Sequence, residues 1–296
     1  MKVVVTGASG LIGTALVLSL RSDGHDVVRL VRHIALSPGE ANWDPAHRLL
    51  DPSLLAGSDA VVHLAGAGVG DKRWSDAYKK TILASRLDGT STLAVALASL
   101  DPPPGVLVSA SAVGFYGDRG DDVLDESAPL GSGFLADVVR QWEACTAPAS
   151  DAGVPVVHIR TGLVLSADGG VLGKTLPLFK VGRGGRLGSG RQWMPWIALP
   201  DEVAAIRFLL DAPALSGAVN LSAPAPVRNS EYTHAVGRAV HRPTLAPVPR
   251  FALRAALAGF ADEGALVSQR AVPRRLLDAG FEFSYRTIDA ALAALL

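Results

Sequence analysis

Three glycines spaced three residues apart follow an apolar segment at the start of the chain. Residues 3–6 have the composition of a buried strand, and residues 11–21 carry apolar side chains at helical spacing. Between a strand and a helix, such glycines allow a tight turn, and the unpaired N–H groups of the helix N-terminus favour a phosphate. The pattern predicts a dinucleotide-binding turn, with a glycine-rich turn without a ligand as the alternative. The expected contact residues are Gly7, Ser9, Gly10, Leu11, Ile12 and Gly13.

Strand-like and helix-like segments alternate along the first two-thirds of the chain. We expect strands at 3–6, 26–31, 59–64, 106–109 and 155–160, and helices at 11–21, 76–100, 134–147, 199–210 and 288–296. Buried β-branched strands alternating with helices are typical of a parallel sheet covered on both faces. The predicted fold class is therefore α/β, a Rossmann doubly wound parallel sheet with a smaller, partly interleaved C-terminal substrate domain.

The amino-acid composition changes after about residue 165. Residues 166–192 are rich in Gly, Lys and Arg, and Pro and Ala increase from 212 to 258, whereas 199–210 still has a helical pattern. We expect the nucleotide-binding domain to comprise residues 1–165 and about 193–215. Residues 166–192 and 216–296 are then the smaller domain.

Charge and cysteine content restrict the function. The 296 residues include 28 Lys and Arg against 28 Asp and Glu, so no net charge attracts nucleic acid or an acidic membrane. The chain begins with a strand pattern rather than an export signal, and Cys145 is its one cysteine. We expect a cytoplasmic protein with no membrane span, no nucleic-acid partner and no metal, acting on a small molecule that could carry phosphate.

The end of the second predicted strand indicates which dinucleotide binds. NAD enzymes usually place a carboxylate there to bind the ribose 2′-OH, but this chain has Arg32. A guanidinium attracts a 2′-phosphate that a carboxylate would repel. The sequence therefore predicts NADP(H) rather than NAD(H) as cofactor, with a solvated strand-end arginine as the alternative.

With these residues, the chain resembles the extended, epimerase-like short-chain dehydrogenase/reductases. More narrowly, it resembles the atypical "epimerase family protein" group with a C-terminal domain of unknown function, also labelled nucleoside-diphosphate-sugar epimerase or SulA-like. The resemblance spans essentially the whole chain and implies that Leu64, Ala65 and Gly66 line the adenosine and ribose side of the cofactor. It also implies that Arg86 approaches the cofactor and that the loop around Val164 lies near the nicotinamide. The matching segments are residues 6–13, 43–45, 62–66, 73–74, 85–86, 109–117, 159–165, 188–197 and 280–283.

The spacing of Arg86 and the neighbours of His63 give independent evidence on their environment. Lys79 and Arg86 are seven residues apart in a predicted helix and share one face, although an ordinary surface arginine is the alternative. His63 lies among apolar residues of a strand, so we expect a hydrogen-bonded core or pocket-rim residue rather than a catalyst.

The catalytic residues of the broad superfamily are only partly present. The resemblance implies a Ser that orients the substrate, for which Ser111 has the expected position, and a Tyr whose pKa a Lys four residues later lowers. The segment 130–145 contains neither Tyr nor Lys. Phe134 or Leu135 replaces the Tyr, and Val138 or Val139 replaces the Lys.

Other groups could supply the missing chemistry. Tyr116 is the nearest phenol and is a candidate acid or base, but aromatic packing is an equal alternative. Ser111 could instead bond the local backbone. Asp125 and Glu126 are expected in a solvated loop.

A basic, glycine-rich segment at 173–191 is expected to bind the phosphates of a substrate, with a mobile surface loop as the alternative. Together these features predict an NADP(H)-binding oxidoreductase or epimerase-like enzyme, and the missing Tyr and Lys leave a non-catalytic sensor or scaffold as the second hypothesis. The basic residues are Lys174, Lys180, Arg183, Arg186 and Arg191.

Overall fold

A computed structural model describes residues 1–212 and 214–296. In chain order the strands are β1 (Lys2–Thr6), β2 (Asp26–Val31), β3 (Glu40–Asn42), β4 (Ala60–His63), β5 (Val106–Ala112), β6 (Val123–Leu124), β7 (Val156–Thr161), β8 (Leu163–Ser166), β9 (Trp193–Met194), β10 (Trp196–Ala198), β11 (Gly217–Leu221), β12 (Val227–Arg228) and β13 (Arg270–Ala271). The helices are α1 (Leu11–Ser22), α2 (Asp76–Ala98), α3 (Phe134–Ala144), α4 (Ala147–Asp151), α5 (Gly170–Lys180), α6 (Leu199–Leu210), α7 (Asn229–Ala239), α8 (Arg250–Leu257), α9 (Arg274–Asp278) and α10 (Ile288–Leu295).

Seven parallel strands form the main sheet in the order β11-β7-β5-β4-β1-β2-β3. The chain builds the sheet outward from β1 in one direction through β2 and β3, and then in the other direction from β4. The carboxyl ends of β1 and β4 therefore flank a topological switch point, where open α/β sheets bind their ligands. The predicted α/β doubly wound sheet is confirmed.

Helices cover both faces of this sheet. On one face, α1 and α6 bury Leu16, Leu20 and Ile206 against the strands. On the other face, Leu93 and Leu97 of α2 pack with residues of α4. A separate cluster joins α5, α7 and α10 to the β8–β10 pair and forms the core of the C-terminal part. Among the described residues, no helix combines the length and apolar character needed to cross a membrane.

Four sequence-based expectations differ from the structure. Glu126, expected in a solvated loop, is partly buried and accepts hydrogen bonds from the backbone N–H groups of Asn220 and Arg275. Ser111, expected just past its strand, lies inside β5, because pairing with β7 extends that strand to Ala112. Residues 217–221, assigned to the smaller domain, form β11 and pair with β7 in the main sheet. The first part of the basic segment 173–191 belongs to helix α5, where Leu172, Leu176 and Phe179 are buried.

Candidate functional site

The glycine turn between β1 and α1 leaves little space for side chains at two positions. Gly7 has a φ of +65°, and a Cβ on it would lie 2.6 Å from the Leu64 carbonyl carbon. A Cβ on Gly13 would collide with the Gly7 carbonyl oxygen and lie 2.9 Å from Ala8 Cα. These glycines are required by the packing of α1 against the ends of β1 and β4.

Gly10 has a different environment from the other two glycines. It is exposed, and a Cβ on it would meet only the Gly7 carbonyl oxygen, at 3.3 Å. No side chain caps α1, and among the described residues the backbone N–H groups of Leu11, Ile12 and Gly13 have no acceptor. An exposed glycine beside unpaired helix N–H groups fits a bound phosphate.

The ends of β1 and β4 are joined by a threonine and a histidine. Thr6 Oγ1 accepts hydrogen bonds from the backbone N–H groups of Leu64 and Ala65, at 3.1 and 3.2 Å. It lies 2.8 Å from His63 Nδ1, and His63 Nε2 lies 3.0 Å from Thr90 Oγ1. His63 is fully buried, and desolvation lowers its pKa to about 4. His63 is therefore a neutral, hydrogen-bonded core residue, as expected from the sequence, and it holds the segment beginning at Leu64 against β1.

Two arginines lie near the carboxyl ends of the strands at the switch point. Arg32 directly follows β2, is exposed, and makes no ion pair or hydrogen bond within the described part of the chain. Arg86 is partly buried and donates to the carbonyls of Ala67 and Ile82, with its guanidinium 4.8 Å from the Trp142 ring. Desolvation lowers the pKa of Arg86 to about 10, and no carboxylate of the described residues lies within ion-pair distance of it. Arg86 is a partly buried cation against the loop that begins at Gly66.

Ser111 is hydrogen-bonded to a buried ion pair. Its Oγ donates to Glu143 Oε1 at 2.6 Å, and Arg160 donates to both carboxylate oxygens of Glu143 at 2.9 Å. Burial alone would raise the pKa of Glu143. The hydrogen bonds and the positive charge of Arg160 have a larger, opposite effect, and the pKa of Glu143 lies below its ordinary value. Glu143 is therefore a carboxylate, and Ser111 is bonded to a side chain rather than to local backbone.

Tyr116 belongs to the same network. Its hydroxyl donates to Asn220 Oδ1 at 2.7 Å and accepts from Arg160 at 3.2 Å, and the side chain is fully buried. Burial raises the pKa of Tyr116 above its ordinary value. Tyr116 is thus a buried residue that joins the Ser111–Glu143 network through its hydrogen bond with Arg160.

Apolar residues occupy the helix face where the superfamily has Tyr and Lys. A Cβ on Gly114, just past β5, would lie 3.5 Å from Leu135 Cβ and 3.9 Å from Val139 Cγ2. Phe134 instead packs edge-on against Trp74, with ring centroids 5.3 Å apart. Leu135 and Val139 are therefore the residues that face the end of β5.

The segment around Val164 lies beside the carboxyl end of β7. Val164 is partly buried and pairs with Ile197 between β8 and β10. A Cβ on Gly169, just past β8, would lie 3.2 Å from Leu11 of the glycine turn. The glycine turn and the end of β8 therefore belong to one region of the molecule.

Of the five basic residues predicted at 173–191, Arg191 lines a polar cavity of about 330 Å³. The other two arginines of this cavity, Arg228 and Arg250, were missed by sequence reasoning, because they come from segments far along the chain. Lys174 points elsewhere and pairs with Asp71 at 2.9 Å. The lining residues are Asp118, Gly120, Asp121, Ser189, Arg191, Gln192, Arg228, Arg250, Leu266 and Ser268.

Comparison with known proteins identifies the family. A profile of the NAD dependent epimerase/dehydratase family matches residues 3–221, and one of a domain of unknown function, DUF1731, matches residues 248–295. The chain belongs to the NAD dependent epimerase/dehydratase family. The resemblance to extended, epimerase-like short-chain dehydrogenase/reductases is thereby confirmed, including the C-terminal domain of unknown function.

Several members of the epimerase family resemble the chain along its full length. An epimerase family protein of Mycobacterium bovis is 49% identical over 290 residues, covering 98% of this chain and 96% of that protein. The human epimerase family protein SDR39U1, solved with NADPH, has a TM-score of 0.92 and 33% identity, covering 100% of this chain and 99% of that one. A nucleoside-diphosphate sugar epimerase from Corynebacterium glutamicum has a TM-score of 0.82 and 40% identity, covering 100% of this chain and 58% of that one.

Proposed function

We propose that this chain binds NADP(H) at the switch point and is an oxidoreductase or epimerase-like enzyme of the extended short-chain dehydrogenase/reductase type. The cofactor proposal is supported by the free N–H groups of Leu11, Ile12 and Gly13, by the unpaired Arg32, and by the NADPH bound to the human relative. Arg86 adds a partly buried cation without a carboxylate partner among the described residues, and an anionic ligand would compensate its charge.

The observation that carries the catalytic proposal is the hydrogen bond between Ser111 and the Glu143 carboxylate. Bound NADP(H) would supply the hydride chemistry. Ser111 orients a substrate oxygen, and in oxidation Glu143 Oε1 takes the Ser111 proton while Ser111 Oγ takes the proton of a substrate hydroxyl. After oxidation Glu143 releases this proton to solvent; in reduction Glu143 first takes a proton from solvent, and Ser111 passes a proton on to the substrate oxygen. Glu143 thus occupies the proton-handling role left vacant by the apolar Leu135 and Val139.

The cofactor proposal is tested by calorimetric titration of NADPH and NADH. We expect NADPH to bind at least tenfold more tightly, because Arg32 contacts the 2′-phosphate that NADH lacks. Arg32→Asp should reverse this preference, whereas Arg48→Asp, at another exposed arginine, should leave it unchanged. Tighter binding of NADH by the wild type would contradict the proposal.

The catalytic proposal is tested by following NADPH absorbance with a panel of carbonyl compounds and nucleotide sugars. Ser111→Ala and Glu143→Gln should each lower turnover by about 100-fold, in the range ascribed to positioned acid–base groups. Ser109→Ala is the matched control, since Ser109 lies in the same strand without contacting Glu143. Turnover unaffected by Ser111→Ala would refute the role of Ser111.

We further propose that residues 166–192 and 222–296 form the substrate-binding part, and that a phosphate-bearing substrate occupies the cavity lined by Arg191, Arg228 and Arg250. Clustered guanidinium groups favour phosphate oxygens. Arg228 pairs with Asp121 at 2.9 Å and Arg250 with Asp262 at 3.8 Å, whereas Arg191 makes no ion pair with the described residues, so the proposal depends most on Arg191. Arg191→Ala should weaken binding of UDP, used as a probe, without altering NADPH affinity. Unchanged UDP binding would place the substrate elsewhere.

A non-catalytic NADP(H) sensor is the alternative, and the apolar Leu135 and Val139 favour it. In that case NADPH should change the protease sensitivity of residues 222–296 although no panel member turns over. Turnover dependent on Ser111 would exclude this alternative.

A further inference from the structure

A carboxyl group outside the proposed proton-handling pair is buried next to the same region. Glu202 of α6 is fully buried, and its Oε1 lies 2.9 Å from Thr161 Oγ1. Its other oxygen, Oε2, has no hydrogen-bond partner among the described residues. Burial raises the pKa of Glu202 to about 8, against a smaller opposing effect of the Thr161 hydrogen bond. The carboxyl is therefore mainly protonated at neutral pH.

Thr161 joins this carboxyl to the cleft, by which we mean the carboxyl edge of the main sheet where the proposed cofactor site lies. It is the last residue of β7 and is paired with Ala112, one position beyond the pairing of Ser111 with Arg160. Neighbouring strand residues point to opposite faces, so Thr161 and Ser111 project on different sides of the same carboxyl end. The Thr161 side chain is only partly buried, in contrast to Glu202. The hydrogen bond thus joins a fully buried carboxyl to a residue that is only partly buried.

The charged groups around Glu202 do not compensate it. Helix α6 packs on α1, β5, β7, β8 and β10, and β5, β8 and β10 carry no charged residue. In β7, Arg160 is paired with Glu143 and His158 is hydrogen-bonded to Thr146. Arg207 of α6 itself is paired with Asp23. The one charged residue of α1, Arg21, donates to the Val27 carbonyl. Asp201, next in the chain, accepts from the backbone N–H groups of Ser284 and Tyr285. Thr161 is therefore the group through which a change in the charge of Glu202 reaches the cleft.

We propose that Glu202 is a positioning residue that sets the hydrogen-bonding character of Thr161 at the nicotinamide end of the cleft. A protonated Glu202 donates to Thr161 Oγ1 and leaves the Thr161 hydroxyl proton to be donated either to a group in the cleft or to the Ile159 carbonyl, 3.5 Å away. An ionised Glu202 accepts that proton in a hydrogen bond, so that Thr161 can only accept from the cleft. The inference rests on the proposed function, since the nicotinamide end of NADP(H) is the group that would face Thr161.

Calorimetric titration of NADPH between pH 6.5 and 9.5 tests this coupling without requiring a substrate. We expect the wild-type Kd to rise about fivefold across pH 8, as one hydrogen bond from Thr161 is lost. Glu202→Gln, whose neutral amide can donate to Thr161, should keep the low-pH affinity throughout. Thr161→Val should bind weakly at every pH, and Thr161→Ser should restore the wild-type profile.

A cofactor fragment without nicotinamide provides the control. The Kd of 2′-phospho-ADP-ribose should show no step near pH 8 in the wild type. The pH dependence of this Kd also shows any effect of titration of the 2′-phosphate itself. A flat NADPH profile in the wild type, or the same step in Glu202→Gln or with the fragment, would overturn the role of Glu202. Failure of the wild type to bind both NADPH and the fragment would instead overturn the proposed cofactor site. Thermal unfolding of each variant verifies that it is folded.

Discussion

The hydroxyl of Ser111 is bound to the carboxylate of Glu143, 2.6 Å away and 32 residues later in the chain. The Ser111 proton is directed at Glu143, so the lone pairs of Ser111 Oγ remain for another donor. Arg160 fixes the carboxylate through two further hydrogen bonds. A substrate hydroxyl is the kind of donor that this arrangement suits.

Loss of the Glu143 charge should destabilise the protein markedly. The side chains of Glu143 and Arg160 are only 13% and 6% exposed, so Glu143→Gln leaves a buried guanidinium without its counter-charge. We expect the free energy of unfolding in urea to fall by about 3 kcal/mol. Arg140→Gln, which breaks an exposed ion pair with Asp137 on the same helix, should cost less than about 1 kcal/mol. Equal effects of the two variants would contradict the buried pairing.

Substitutions at two glycines of the turn should affect cofactor binding and stability differently. Gly10→Ala adds a methyl group on an exposed surface, so the free energy of unfolding should change by less than about 1 kcal/mol while NADPH binding is lost. Gly13→Ala forces its methyl group into the Gly7 carbonyl, and should lower both stability and binding. NADPH fluorescence titration and thermal unfolding measure the two properties. Undiminished NADPH binding by Gly10→Ala would argue against phosphate at this turn.

Glu202 should make stability depend on pH in a defined direction. Its pKa is about 8 when folded and near the ordinary 4.5 when unfolded, so the folded state binds more protons between these values. The stability that this group contributes is complete below about pH 4.5 and is lost as the pH rises to about 8, by at most about 1.4 kcal/mol per pH unit. Glu202→Gln should remove this loss. Urea unfolding of both proteins from pH 5 to 9 provides the comparison, and parallel pH profiles would contradict it.

His63 should be neutral and carry its proton on Nε2. Thr6 Oγ1 already accepts from two backbone N–H groups, so its own proton is directed to His63 Nδ1. Nε2 then donates to Thr90 Oγ1. Nitrogen-15 NMR of the imidazole should show this tautomer down to about pH 5, because burial lowers the pKa of His63 to about 4. A ring that becomes protonated near the ordinary histidine pKa of about 6.5 would be inconsistent with this hydrogen-bond chain.

Much of the fold follows from local sequence patterns. The alternating strands and helices, the glycine turn and the position of Arg32 at the end of β2 all depend on residues close together in the chain. Periodicity placed α6 at its observed bounds, Leu199–Leu210. It could not place the end of β5, because that strand is extended by pairing with β7 rather than by its own composition.

The sequence alone determined the fold class and the turn where a dinucleotide is expected, since those depend on spacing between near neighbours. It also showed that Tyr and Lys are missing from the helix at 134–144. Only the tertiary structure decided which polar side chains lie near the carboxyl ends of β5 and β7. Glu143 reaches Ser111 because α3 packs beside β5, and Glu202 reaches Thr161 because α6 returns to the end of β7. Whether a carboxyl group is exposed, paired or buried depends on such long-range contacts, which no local pattern specifies.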